Sequence, residues 1–124
     1  MYRIDLLSRV PIYEQITEQT EKFIISGVLK PGDALPSVRS LSTSLHANPN
    51  TVARAFTELD RAGLICTVQG KGCFVTDNAK QILKNKAKDR LAEVAALCKE
   101  LIAAGIGKDE IIAEINNIKE NKDV

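Results

Sequence analysis

Behind Pro11, apolar residues recur at helical spacing. Ile12, Ile16 and Phe23, with Gln19 among them, fall on one side, and Glu14, Glu18 and Glu21 fall on the other. This pattern predicts an amphipathic helix over residues 11–26. Proline opens it where a missing N–H costs nothing, and Gly27 stops it. The run Lys30-Pro31-Gly32-Asp33 carries turn chemistry. After it, Val38, Leu41 and Leu45 repeat at i, i+3 and i+7, which predicts a short helix over residues 38–45 with Ser37 as its N-cap. A brief connection, His46-Ala47-Asn48, leads to a third helical pattern. There Asn48 caps, Pro49 opens, and Val52, Ala55, Phe56 and Leu59 form the buried face until Gly63. Two short helices joined by so brief a turn make a helix-turn-helix unit.

The period then changes. Leu64 to Val68 and Cys73 to Thr76 are β-prone runs around Gln69-Gly70-Lys71-Gly72, a hairpin signature. A hairpin directly behind such a helix pair is a wing. From Asp77 the helical period returns. Leu83, Ala87, Leu91, Val94, Ala95, Cys98, Leu101 and Ile102 form one stripe, which predicts a single long helix over residues 79–104. Gly105-Ile106-Gly107 breaks it. Asp109 and Glu110 then suit a helix start, and Ile111, Ile112, Ile115 and Ile118 mark a shorter helix. The polar residues 116–124 are expected to fray. The expected fold is mainly α with a small β-hairpin: a winged helix-turn-helix over residues 1–76, followed by a two-helix region over residues 77–124.

Composition narrows the function classes. The 124 residues carry 17 lysines and arginines against 16 acids, so overall charge gives little guidance to partners. No apolar run is long enough to span a membrane, and the N-terminus lacks signal-peptide character, so a cytoplasmic location is expected. The three cysteines, Cys66, Cys73 and Cys98, form no C-x-x-C pair and fit a reduced compartment. With a single histidine and no phosphate-binding Gly-Lys motif, neither a catalytic set nor a metal site is expected. An enzyme is therefore a poor reading, and no cofactor is implied.

Four segments bear a family pattern. They are Pro11-Ile12-Tyr13-Glu14-Gln15-Ile16, the run from Gly27 through Lys30-Pro31-Gly32-Asp33 to Ser37-Val38-Arg39, then Asn48-Pro49-Asn50-Thr51-Val52-Ala53-Arg54-Ala55-Phe56, and Gly70-Lys71-Gly72-Cys73-Phe74-Val75. In this order they resemble the GntR family of bacterial regulators, and its YtrA-like subfamily by the short helical C-terminal region. Three positions depart from the pattern: Cys73 where threonine is usual, Ser40 where glutamate is common, and Ala53 where other branches often carry arginine. The resemblance implies a sequence-specific DNA-binding transcriptional regulator, commonly a repressor of a transporter operon. Its partner would be double-stranded operator DNA.

Candidate contacts follow from both readings. Arg39 faces solvent and is able to reach a phosphate or a guanine edge, and the family pattern places a DNA contact there; a solvated arginine is the bland alternative. Asn48, Asn50, Thr51 and Arg54 sit early in the second helix of the unit, the part that enters a major groove. Asn48 is as readily explained as a cap alone. Lys71 and Gly72 lie at the wing tip, where glycine lets backbone approach and lysine offers charge, although a plain hairpin turn also needs glycine. The acidic side of the first helix should point away from phosphates. In the C-terminal region, Leu83, Ala87, Leu91, Val94, Cys98, Leu101, Ile102, Ile111 and Ile115 are expected to pair with a second copy, giving a homodimer on an inverted-repeat operator. A winged-helix module that binds protein instead of DNA is the alternative. Two helices enclose no pocket of ordinary size within one subunit, so the sequence leaves a small-molecule effector open.

Overall fold

The computed structural model describes residues 1–120. Helix α1 spans Ile12–Ser26, α2 Val38–Leu45 and α3 Pro49–Arg61; strands β1 (Ile65–Val68) and β2 (Gly72–Val75) form an antiparallel hairpin. Three further helices follow: α4 (Ala79–Lys88), α5 (Leu91–Ala103) and α6 (Lys108–Asn117). The fold is the expected mainly helical one with a single hairpin.

The helix ends are set by the predicted residues. Ser37 Oγ accepts from the Ser40 N–H at 3.0 Å, and Asn48 Oδ1 accepts from the Asn50 N–H at 2.8 Å. Each supplies a partner to an N–H that the helix leaves unpaired. At its other end α2 closes with His46 in the left-handed region (φ 54°), where His46 N–H donates to Thr43 O and Ala47 N–H to Ser42 O. His46 is the only non-glycine residue with positive φ among the described residues. It thus does at the helix-turn-helix corner what glycine does elsewhere.

The first compact unit is Met1–Leu83. Its core gathers Ile16 and Ile24 of α1, Leu41 of α2, Val52, Ala55, Phe56 and Leu59 of α3, and Ile65 and Val75 of the hairpin. Those two strand residues are cross-strand partners, so burial of one face fixes the register. Residues 32–35 run beside β2, with Leu35 N–H on Cys73 O and Val75 N–H on Asp33 O, both at 2.9 Å. The proline–glycine turn therefore feeds a short third edge that the sequence pattern did not reveal.

The N-terminal segment is zipped to α1 by two glutamines. Gln15 Oε1 accepts from Asp5 N–H at 2.8 Å, and its amide donates to Asp5 O and Val10 O. Gln19 makes the same paired exchange with Arg3. Tyr2 is buried, edge-on to Phe23, with its hydroxyl 2.7 Å from Thr20 Oγ1. Thr20 already donates to Ile16 O, so the phenol is the donor.

Burial pushes the Tyr2 phenol above its ordinary 10.0. A raised folded-state pKa stabilises the fold fully below about pH 10, and that contribution is lost as pH rises through the folded value. Tyr2→Phe is expected to cost about 1 kcal/mol at pH 8 through the lost hydrogen bond. The gap to wild type should close above pH 10 in denaturant titrations. A gap independent of pH would contradict this assignment.

Two expectations about the C-terminal region are corrected. The boundary lies after Leu83, not at Asp77: Ala79 and Leu83 are 1% and 3% exposed and complete the first core. Leu83 is thereby removed from the pairing stripe. Nor is there one long helix. The chain breaks at Asp89 and Arg90, where Arg90 N–H reaches back three residues to Ala87 O instead of four. Arg90 stays in right-handed helical space (φ −83°, ψ −3°), so no glycine or proline is needed and none marks the break.

The second unit begins at Lys84. Gly105, at φ 101°, ends α5 with paired bonds from its own N–H to Ile102 O and from Ile106 N–H to Leu101 O. No residue of α5 or α6 is buried. Leu91, Val94, Leu97, Leu101 and Ile102 are exposed on α5, and Ile112 and Ile115 on α6, with Ile118 just beyond; Cys98 and Ile111 are half-buried, and Ala87 is exposed. The expected fraying of residues 116–124 falls partly on 121–124, which lie outside the described residues.

Candidate nucleic-acid interface

Within the first unit, α2 packs on α3, and α3 on both α1 and β1. The amphipathic pattern of α3 forces its arrangement. Val52, Ala55, Phe56 and Leu59 are buried, so Asn50, Arg54, Thr57 and Arg61 are exposed on the opposite side. Arg39 is exposed in the first turn of α2, next to half-buried Val38. Asn48 is exposed but its side-chain oxygen is committed to the cap, and Thr51 is half-buried. The wing tip carries exposed Lys71 between Gly70 (φ 79°) and Gly72 (φ 115°), conformations that L side chains rarely adopt.

An open groove of about 450 Å³ separates α3 from the hairpin. Val38, Ala53, Phe56, Thr57, Thr67 and Cys73 are among its walls. Thr67 Oγ1 donates to Asp60 Oδ2 at 3.2 Å across it, tying β1 to α3. Ala53, where other family branches carry arginine, leaves this wall small and uncharged.

The charges along α3 are divided. Arg61 pairs with Glu58 at 3.0 Å, and Asp60 stands beside them, so the C-terminal half is electrically mixed. The N-terminal half has no acid. More broadly, no aspartate or glutamate occurs anywhere in residues 34–57, the stretch that builds α2, the turn and most of α3. Arg39, Arg54 and a series of serine, threonine and asparagine side chains occupy it instead. Counting acids along this window, and not over the whole chain, is the signal that overall charge conceals. Anion binding is what such a surface offers, aided by the positive end of the α3 dipole.

One contact escaped sequence reasoning. The guanidinium carbon of Arg54 sits over the ring of Tyr13, 3.8 Å from its centroid. Tyr13 in turn donates from its hydroxyl to Glu14 Oε1 at 3.1 Å. The hairpin register sets the two cysteines apart. Val68 faces Gly72, Thr67 faces Cys73 and Cys66 faces Phe74. Cys66 and Cys73 therefore lie on opposite faces of the hairpin, and both are free thiols. Among the described residues no group of His, Cys, Asp or Glu is arranged to hold a metal ion, and no helix is long and apolar enough to cross a membrane.

Comparison with known proteins agrees with this geometry. Residues 12–75 match the family described as bacterial regulatory proteins, gntR family. The HTH-type transcriptional repressor YtrA of Bacillus subtilis is 51% identical over 83 residues, covering 67% of this chain and 64% of YtrA. The chain thus matches just under two thirds of that relative's length. A GntR family transcriptional regulator from Listeria monocytogenes superposes with a TM-score of 0.73 at 35% identity, covering 94% of this chain and all of that one. The DNA-binding domain of AraR, solved in complex with its operator ORX1, superposes with a TM-score of 0.54 at 29% identity over 59% of this chain and 90% of that one. The chain belongs to the GntR family of bacterial transcriptional regulators, as a DNA-binding winged-helix protein of the YtrA type.

Proposed function

We propose that this regulator is a cytoplasmic repressor that binds an inverted-repeat operator as a two-fold homodimer. Each subunit presents α3 to a major groove, with Arg39, Asn50 and Arg54 as the reading side chains. Asn48 and Thr51 set the start of that helix, and Lys71 and Gly72 bring the wing to the adjacent backbone. The observation that carries this reading is the acid-free stretch over residues 34–57, in a chain whose acids otherwise nearly match its basic groups. A surface built to bind protein has no need to exclude carboxylates so completely. Repression is supported by the name of the B. subtilis relative, a transcriptional repressor.

Assembly through the second unit is supported by the bare apolar faces of α5 and α6. Ala87, Leu91, Val94, Cys98, Leu101, Ile102, Ile111 and Ile115 remain the proposed pairing residues, with Leu97 and Ile112 added by their exposure. A symmetric pair presents two α3 helices in related orientations, so half-sites should lie about 34–36 Å, or a multiple, apart.

The test is selection of genomic fragments by the purified full chain, followed by binding titrations at several salt concentrations. Recovery of an inverted repeat, bound with a steep salt dependence and upstream of genes that are derepressed when the regulator is deleted, is expected. Recovery of no preferred sequence would overturn the reading in favour of a protein-binding module.

A further inference from the structure

Resting on the reading of Arg54 as a DNA contact, we propose that Tyr13 of α1 is a specificity-determining positioning residue, a platform that holds the Arg54 guanidinium ready for DNA. Arg54 is exposed, and a long exposed side chain ordinarily samples many rotamers, all but a few of which point away from a base edge. The Tyr13 ring removes most of that freedom before DNA arrives. At 3.8 Å from the ring centroid, the guanidinium carbon is well inside the range of about 6 Å over which a ring attracts a cation. Among the described residues Arg54 makes no ion pair that would compete with this contact. A stacked guanidinium uses its face, and its N–H groups point outward in the plane, where a phosphate or a guanine edge meets them.

The platform is itself fixed. Tyr13 is half-buried against the core, and that packing holds the ring without help from its hydroxyl. The packing of α1 on α3 holds ring and arginine together across the two helices. Two consequences distinguish this role from a mere surface contact. The aromatic face matters and the hydroxyl does not, and the effect of Tyr13 on DNA passes wholly through Arg54.

The experiment measures affinity of the full chain for the selected operator fragment and for a scrambled duplex of equal length at one salt concentration, with a melting curve for every variant. Tyr13→Leu should weaken specific binding about two- to fivefold, the factor an exposed cation–π contact carries, and leave scrambled DNA unaffected. Tyr13→Phe should bind like wild type. In an Arg54→Ala background, Tyr13→Leu should have no further effect. If Arg54→Ala lowers the specific-to-scrambled ratio but Tyr13→Leu does not, or if Tyr13→Leu acts undiminished without Arg54, the platform is overturned while the DNA contact stands. If Arg54→Ala itself leaves the ratio unchanged, the contact fails and the platform with it. Should Tyr13→Leu melt early, Tyr13→Met, which keeps apolar bulk without a ring, must reproduce the loss for the proposal to survive.

Discussion

The double substitution Leu97→Asp with Ile115→Asp is expected to convert the proposed dimer into monomers and to lower operator affinity by about two to four orders of magnitude. Both side chains are more than half exposed in the single subunit, 56% and 55%, so neither supports the subunit's own core. Across a two-fold interface each would be buried, and a carboxylate there would lose its water without gaining a partner. The affinity loss comes from breaking the link between two reading heads, since the second head binds at an effective concentration set by the first. Sedimentation velocity should show a halved mass, and the first unit should still melt cooperatively. A double mutant that remains dimeric at micromolar concentration would refute the assignment of this surface.

Arg39→Ala is expected to lower specific operator affinity by about five- to 150-fold, which is the roughly 1–3 kcal/mol carried by a good bidentate base contact. Its side chain is exposed in the first turn of α2 and makes no ion pair among the described residues, so stability should move by less than about 0.5 kcal/mol. Lys71→Ala should act differently. A phosphate contact carries charge and no sequence, so specific and scrambled DNA should weaken together, and the salt slope should fall by about one unit. An unchanged slope would place the wing off the DNA, and an Arg39→Ala protein with wild-type specificity would remove α2 from the interface.

Where local chemistry decides the structure, the sequence is enough. Ser37 and Asn48 cap α2 and α3 because an N-cap needs only a short polar side chain beside the helix start, and Pro49 suits the first position of α3; these features lie within a few residues of one another. The hydrophobic period of α3 similarly dictates which side faces out, and therefore most of the proposed DNA surface. Contacts between distant segments are less legible. Nothing near Gln15 or Gln19 says that their amides will pair with backbone ten and sixteen residues earlier. Nothing near Arg54 points to Tyr13, because the two meet only once α1 packs on α3. The interruption at Asp89 and Arg90 carries no glycine or proline, so periodicity runs straight through it. Leu83 looked like the first residue of the pairing stripe because it shares a period with Ala87 and Leu91. Only the core of the first unit shows which side of the boundary claims it.

The bare faces of α5 and α6 belong to one compact unit, and the proposed reading surface belongs to the other. Subunits with a damaged reading head would therefore keep the proposed pairing surface. In a cell that makes both forms, an Arg39→Ala chain would draw intact chains into mixed pairs with one working head each. Such an allele would be dominant over the wild type, whereas an allele damaged at Leu97 and Ile115 would be recessive.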